Sequence, residues 1–375
     1  MHILITGADG FIGRNLRLRI SERAGWTVTP WTRHSAPDGL QNAIEQADVV
    51  IHLAGVNRPK EVSEFQTGNV DFTVRLCDTL AQVASASNHR PRLIHTSSTQ
   101  AERGNPYGES KKAAEAAMQS LARAHGHALH VFRLPNVFGK WCRPHYNSAV
   151  ATFCHQIARG LPIEIHDPGA ALQLIHVDDV IDRFLALVDG AAAQPDAAGF
   201  ETAGPVYSTT VGAVADTIRG FRDSRDTGVI GTVGHGLGRA LYATYVSYLP
   251  VEAFDYPLVR HEDPRGVFVE MLKTRDSGQF SYFTAHPGVT RGGHYHHAKT
   301  EKFLVIQGKA CFRFRHMLSG ETHEIHTTAE SPRVVETVPG WTHDITNTGE
   351  GLMVVMLWAN EIFDRNRPDT ISAAL

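Results

Sequence analysis

An apolar strand pattern, His2-Ile3-Leu4-Ile5-Thr6, runs straight into Gly7-Ala8-Asp9-Gly10-Phe11-Ile12-Gly13, and an amphipathic stretch follows from Phe11 to about Glu22. Glycines spaced G-x-x-G-x-x-G between a strand and a helix let the backbone turn tightly and approach a pyrophosphate, which then sits at the positive end of the helix. Downstream, residues 48–53, 92–97 and 128–134 read as further strands, with helical patterns over 73–84 and 108–124 between them. Strand and helix in alternation predict a parallel sheet with helices on both faces, an α/β Rossmann-like N-terminal domain.

NAD-specific sites of this kind place an acidic residue at the end of the second strand, about 20 residues on, to hold the ribose hydroxyls. Here that strand reads Trp26-Thr27-Val28-Thr29-Pro30-Trp31-Thr32 and is followed by Arg33, with no carboxylate. A guanidinium there suits a 2′-phosphate, so NADPH is the expected cofactor.

The pattern changes from about Tyr256. Ala310-Cys311-Phe312-Arg313-Phe314-Arg315 alternates apolar and polar, as a half-buried strand does. His286-Pro287-Gly288, Gly292-Gly293 and Pro339-Gly340 punctuate the region at close spacing. An all-β barrel or sandwich is predicted. The boundary is placed in the aromatic stretch before Tyr256, giving domains over 1–245 and 246–375. A chain of 375 residues accommodates two such domains.

Composition removes several partner classes. The formal net charge is -3, which provides no global basic field for a phosphate polymer. The apolar runs are too short to span a bilayer, and no signal-like segment opens the chain. Neither nucleic acid nor membrane is expected as a partner. The four cysteines, Cys77, Cys142, Cys154 and Cys311, form no paired motif, so buried free thiols in a reducing cytoplasm are expected.

Tyr107-Gly108-Glu109-Ser110-Lys111 places a phenol and an ammonium on one helix face. The ammonium favours the phenolate, so the tyrosine can exchange a proton near neutral pH. Thr96-Ser97-Ser98 ends the preceding strand, where a serine hydroxyl can hold a substrate carbonyl oxygen. Together with Asp48-x-Val50-x-His52-Leu53-Ala54-Gly55, Pro135-Asn136-Val137-Phe138-Gly139 and His176-Val177-Asp178-Asp179, these motifs resemble the extended short-chain dehydrogenase/reductase family, which modifies nucleotide sugars. The resemblance implies Tyr107 as acid, Lys111 as the group that lowers its pKa, and Ser98, with Ser97 as alternative, on the keto oxygen. It also implies cofactor contacts from Gly7, Gly10, Phe11, Ile12, Gly13, Arg33, Leu53, Ala54, Gly55, Asn69, Tyr107, Lys111 and Asn136. Asp178 and Asp179 are expected to fix local structure.

In the second region, Gly288, His294, His296, Glu301 and Gly308 are spaced G-x5-H-x-H-x4-E-x6-G, and Pro339-Gly340-x-x-His343-x-x-x-Asn347 follows. Histidines at i and i+2 on a strand point the same way. With Glu301 and His343 they make a three-nitrogen, one-oxygen donor set for a divalent first-row cation, zinc foremost. The spacing is similar to both signature motifs of the cupin family. Asp263-Pro264-Arg265-Gly266-Val267-Phe268-Val269-Glu270 and Gly288-Val289-Thr290-Arg291-Gly292-Gly293-His294 also resemble the sugar-nucleotide 3,5-epimerases, in which the histidine matching His294 is a base. A ligated His294 cannot also be the base, which leaves His297, Tyr295 and Lys302 as candidates. A metal in the site can polarise a 4-keto oxygen and stabilise the enediolate.

The order reductase then cupin, with Phe138-Gly139-Lys140-Trp141-Cys142, Tyr146-Asn147-Ser148 and Glu301-Lys302-Phe303-Leu304-Val305, resembles the bifunctional capsular-polysaccharide enzymes of the CapF family. That implies a UDP-linked 4-keto-6-deoxy amino sugar as substrate, epimerised at C3 by the cupin and reduced at C4 by the other domain. A homodimer is expected, as both families commonly dimerise. The rival readings are a reductase whose cupin is purely structural and a non-enzymatic NADP sensor.

Overall fold

The computed structural model describes residues 1–375 except 259–260, 264–265, 269–271, 275–278, 362–365 and 367. Pro264, Arg265, Val269 and Glu270 of the epimerase-like motif lie outside the described residues.

Two compact units emerge, one of residues 1–138 and 172–208, the other of 139–171 and 209–375. The boundary expected at 245 follows the change in sequence pattern. Packing follows burial instead: helices Ala149–Ala158, Val211–Thr227 and Gly236–Val246 pack on one another and belong to the second unit.

In the first unit, β1 (His2–Thr6), β2 (Thr27–Trp31), β3 (Val49–His52), β4 (Arg92–Ser98) and β5 (Leu129–Leu134) form a parallel sheet ordered β2-β1-β3-β4-β5. Helices α1 (Phe11–Ser21), α2 (Phe72–Ser87), α3 (Pro106–His125) and α4 (Val177–Val188) cover it. Ile3, Ile5, Ile51 and Ile94 face α1 and α4 in one core. Leu4, Val50 and Leu93 face α2 and α3 in the other. Burial on both faces explains why the strands read as continuous apolar runs. The strand order reverses between β1 and β3, and ligands of open α/β sheets bind at that crevice, beyond the carboxyl ends of the strands.

In the second unit, the strand-rich pattern resolves into two five-stranded sheets whose neighbouring strands pair antiparallel. The elements that matter for the site are β6 (Thr290–Tyr295), β7 (Glu301–Gln307), β8 (Lys309–His316), β9 (Arg333–Glu336), β10 (Trp341–Asn347) and β11 (Ile371–Ser372). β7 and β9 lie in one sheet; β6, β8, β10 and β11 lie in the other. Phe303 of β7 meets Phe312 of β8 at a ring separation of 5.6 Å and His343 of β10 at 6.2 Å, so the two sheets face each other across an aromatic core. The alternation predicted over 310–315 holds, with Phe312 and Phe314 fully buried. An α/β Rossmann-like region and an all-β cupin are both present, as expected. The four cysteines are free, and Cys142 is only half-buried. Among the described residues, no helix is long and apolar enough to cross a membrane.

Candidate functional site

The glycine loop lies at the crevice between β1 and β3. Gly7 has φ +68°, and a Cβ there would stand 2.7 Å from the Ala54 backbone nitrogen, so the loops after β1 and β3 touch at this point. Leu53 N donates to Thr6 O (3.1 Å) and Ala54 N to Thr6 Oγ1 (3.3 Å), holding Leu53-Ala54-Gly55 against the glycine turn. Helix α1 starts from Gly10 with no acidic residue in its first turn. Its unpaired amides and dipole therefore meet an anion without competition. Phe11 and Ile12 pack against the core beneath. Arg33 is exposed just past β2, and no hydrogen bond or ion pair engages it among the described residues.

Lys111 is buried on α3, one turn beyond the half-buried Tyr107, and its Nζ donates to Thr96 O at 2.8 Å. Burial pushes its pKa down to about 8. Ser98 Oγ accepts from Gln100 N (3.1 Å), which leaves the hydroxyl proton able to donate to a carbonyl. Ser97 Oγ is buried without a hydrogen-bond partner among the described residues. Asn69 stands in a π-helical segment, Gln66–Asp71, that runs into α2. Such segments interrupt helices at functional positions. Its amide is fully engaged: Oδ1 accepts from Val56 N (2.6 Å), and Nδ2 donates to Val56 O (3.0 Å) and Ser110 Oγ (2.9 Å). It thus latches the loop after β3 to α3. Asn136 is exposed, with Nδ2 donating to Gln173 O.

The second cluster owes its assembly to one extra residue. β6 pairs with β10 as Gly292↔Asp344 and then His294↔His343, so Gly293 is bulged out. Gly292 and Gly293 have φ +104° and +75°. Side chains alternate along a strand, and an inserted residue reverses the alternation beyond it. The bulge therefore turns His294 to the same face as His343. Gly292-Gly293, expected as a turn, is this bulge. One ligand atom each from His294, His296, Glu301 and His343 lies within 4.8 Å of all the others. Glu301 comes from the facing sheet. His296 Nε2 is 3.1 Å from Glu301 Oε2, and His343 Nε2 is 3.7 Å from the same oxygen. Gly340 N donates to His296 O, tying the two cupin motifs together.

The electrostatics suit a cation. Burial, with His343 and His296 nearby, pushes His294 down to about 4. Burial also lowers His343, so both rings present lone pairs. Burial would raise Glu301, but His296 holds it well below the usual carboxylate range. His343 Nε2 is buried 3.7 Å from Glu301 Oε2, beyond hydrogen-bond reach. A buried imidazole nitrogen facing a buried carboxylate at that range fits a divalent first-row cation. A second grouping, Cys311, Glu324 and His326, has two of its three members exposed.

The remaining base candidates do not join this cluster. Lys302 follows Glu301 on β7 and points the other way, where its Nζ pairs with Glu336, itself paired with Arg225. His297 is buried, but its ring meets Tyr295 (5.5 Å) rather than the three histidines. Lys299, which sequence reasoning passed over, does reach the site: its Nζ is 2.9 Å from Glu301 Oε1. Its position two residues before a ligand was the available signal. Asp178 is buried in the first turn of α4, its Oδ2 3.9 Å from His176 Nδ1.

Residues 3–198 match the NAD dependent epimerase/dehydratase family, and 261–371 match the polysaccharide biosynthesis C-terminal domain. A Pseudomonas aeruginosa protein described as UDP-2-acetamido-2,6-beta-L-arabino-hexul-4-ose reductase is 53% identical over 376 residues, covering 100% of this chain and 99% of its own. The crystal structure of the capsular polysaccharide assembling protein CapF from Staphylococcus aureus covers 100% of both chains at 37% identity and a TM-score of 0.68. The chain belongs to the CapF family. A structure of CapF with the inhibitor 3-isopropenyl-tropolone matches at 34% identity and a TM-score of 0.64, again over 100% of both chains. Membership in the CapF family accounts for a reductase-type crevice and a cupin cluster on one chain, and makes this protein a member of a sugar-nucleotide reductase/epimerase class.

Proposed function

We propose that this chain epimerises UDP-2-acetamido-2,6-dideoxy-4-hexulose at C3 in the cupin and then reduces C4 with NADPH, giving UDP-2-acetamido-2,6-dideoxy-L-talose for capsule or O-antigen synthesis. The observation that carries the reading is the cluster of half-buried His294 with buried His296, Glu301 and His343, which a plain reductase does not need. The relative's name supplies the substrate class. A tropolone carries vicinal oxygens, the arrangement that chelates a divalent cation, so the inhibitor seen with CapF agrees with a metal in this family.

A ketone at C4 acidifies the C3 proton, so epimerisation precedes reduction, and reduction traps the new configuration. In the reductase region, Ser98 orients the keto oxygen and Tyr107 delivers a proton to it, with the Lys111 ammonium favouring the phenolate that remains. The Gly7–Gly13 turn would hold the pyrophosphate of NADPH and Arg33 its 2′-phosphate, and the cofactor would supply the hydride. In the cupin, His294, His296, Glu301 and His343 hold the cation, zinc foremost, which when bound polarises the C4 oxygen. His297, one residue beyond a ligand and in ring contact with Tyr295, is retained as the base that takes the C3 proton, whereas Lys299, as an ammonium paired with Glu301, cannot accept it. We read the assembly as a homodimer, which light scattering tests.

The deciding experiment is incubation with the UDP-4-keto sugar in D₂O without NADPH. Deuterium at C3 is expected. No incorporation, with NADPH oxidation intact once the cofactor is added, leaves a reductase with a structural cupin.

A further inference from the structure

Asp369 lies in a short segment that runs alongside the ligand strand β6. β11 pairs with β6 as His294↔Ser372 and Tyr295↔Ile371. Ala373 N donates to Gly293 O (2.8 Å), and Thr342 Oγ1 donates to Ala373 O (2.6 Å). The Asp369 side chain is only 13% exposed and accepts three consecutive main-chain amides: His297 N at 2.8 Å, Ala298 N at 2.7 Å and Lys299 N at 2.7 Å. Its own backbone carbonyl accepts from His296 Nδ1. One residue thus makes four hydrogen bonds to the turn joining two ligands, and nothing in the sequence motifs marks it.

The consequence for His296 is chemical. A hydrogen on Nδ1 fixes the tautomer and leaves the Nε2 lone pair facing Glu301 Oε2 at 3.1 Å. Two lone pairs at that distance need a proton or a cation between them. Partners of this kind on the outer nitrogen of a ligating histidine orient the ring and raise its basicity. The same turn carries Lys299 to Glu301. We propose that Asp369 is a positioning residue for the cation site, its carboxylate shaping the 296–299 turn and its carbonyl setting the His296 tautomer. This rests on reading the cluster as a cation site.

The test uses the full chain, stripped of metal, as wild type and as Asp369→Asn. Asparagine keeps the shape but turns an amide donor toward main-chain donors. Zn²⁺ affinity is measured by competition with a chromophoric chelator, and the Co²⁺-loaded proteins are compared by visible absorption. The variant is expected to bind Zn²⁺ roughly 10- to 100-fold more weakly, with altered Co²⁺ bands and unchanged NADPH binding. Equal affinity and identical Co²⁺ bands overturn the assignment of Asp369 alone. A wild type that binds no Zn²⁺ overturns the cation reading and this inference with it. Should Asp369→Asn fail to fold, the zinc-loaded wild type decides: long-range ¹H–¹⁵N spectra are expected to show His296 protonated at Nδ1, and protonation at Nε2 overturns the proposal.

Discussion

Lys299 Nζ lies 2.9 Å from Oε1 of Glu301, while Oε2 of the same carboxylate faces His296. The ligand carboxylate is shared between a fixed ammonium and the cation position. Like charges at such range oppose each other even at an effective dielectric near 20. Lys299→Met is therefore expected to tighten Zn²⁺ binding by up to roughly tenfold, about 1.4 kcal/mol. Weaker binding in a chelator competition would show that Lys299 instead holds Glu301 in place.

Lys111 sets a pH window. Burial lowers it from 10.5 to about 8. Between those values the unfolded chain binds the extra proton, so stability should rise with pH from about 8 to 10.5, and the cost of burying the ammonium is fully present below about 8. Over the same range the reductase loses the charge that assists Tyr107, and kcat/KM for ketone reduction should fall above about pH 8. Lys111→Met should flatten the stability profile and lower the rate by ~10²–10⁴. Denaturation midpoints and rates measured from pH 7 to 10 check both limbs.

Arg33 should decide between cofactors. A hydrogen bond to a charged group contributes about 1.5–3 kcal/mol. Arg33→Ala is expected to weaken NADPH binding roughly 10- to 150-fold and leave NADH binding unchanged. A parallel loss for both cofactors, in fluorescence titrations, would mean that Arg33 does not meet the 2′-phosphate.

Gly13 leaves no room for a side chain. A Cβ would stand 2.5 Å from Gly7 O and 2.7 Å from Ala8 O. Gly13→Ala should destabilise the fold by about 1–3 kcal/mol, as overpacking does, and weaken cofactor binding. An unchanged denaturation midpoint would show that α1 shifts freely.

What the sequence made legible was local. The strand, glycine turn and helix at the start and the alternation over 310–315 each report their own backbone through a period of 3.6 or 2. The four cupin donors were legible by spacing. The inward turn of His294 was not, because it depends on Gly293 being bulged against β10, about fifty residues away. Lys302 looked equivalent to its neighbours, yet strand alternation sends it to the opposite face, against Glu336. Asp369 acts through main-chain amides, which leave no pattern in side-chain identity.

The chain passes between its two units after residues 138, 171 and 208. Modularity is limited by this threading. A single scission near 245 would strand helices Ala149–Ala158, Val211–Thr227 and Gly236–Val246 with the wrong fragment, so one cut there does not release either unit whole.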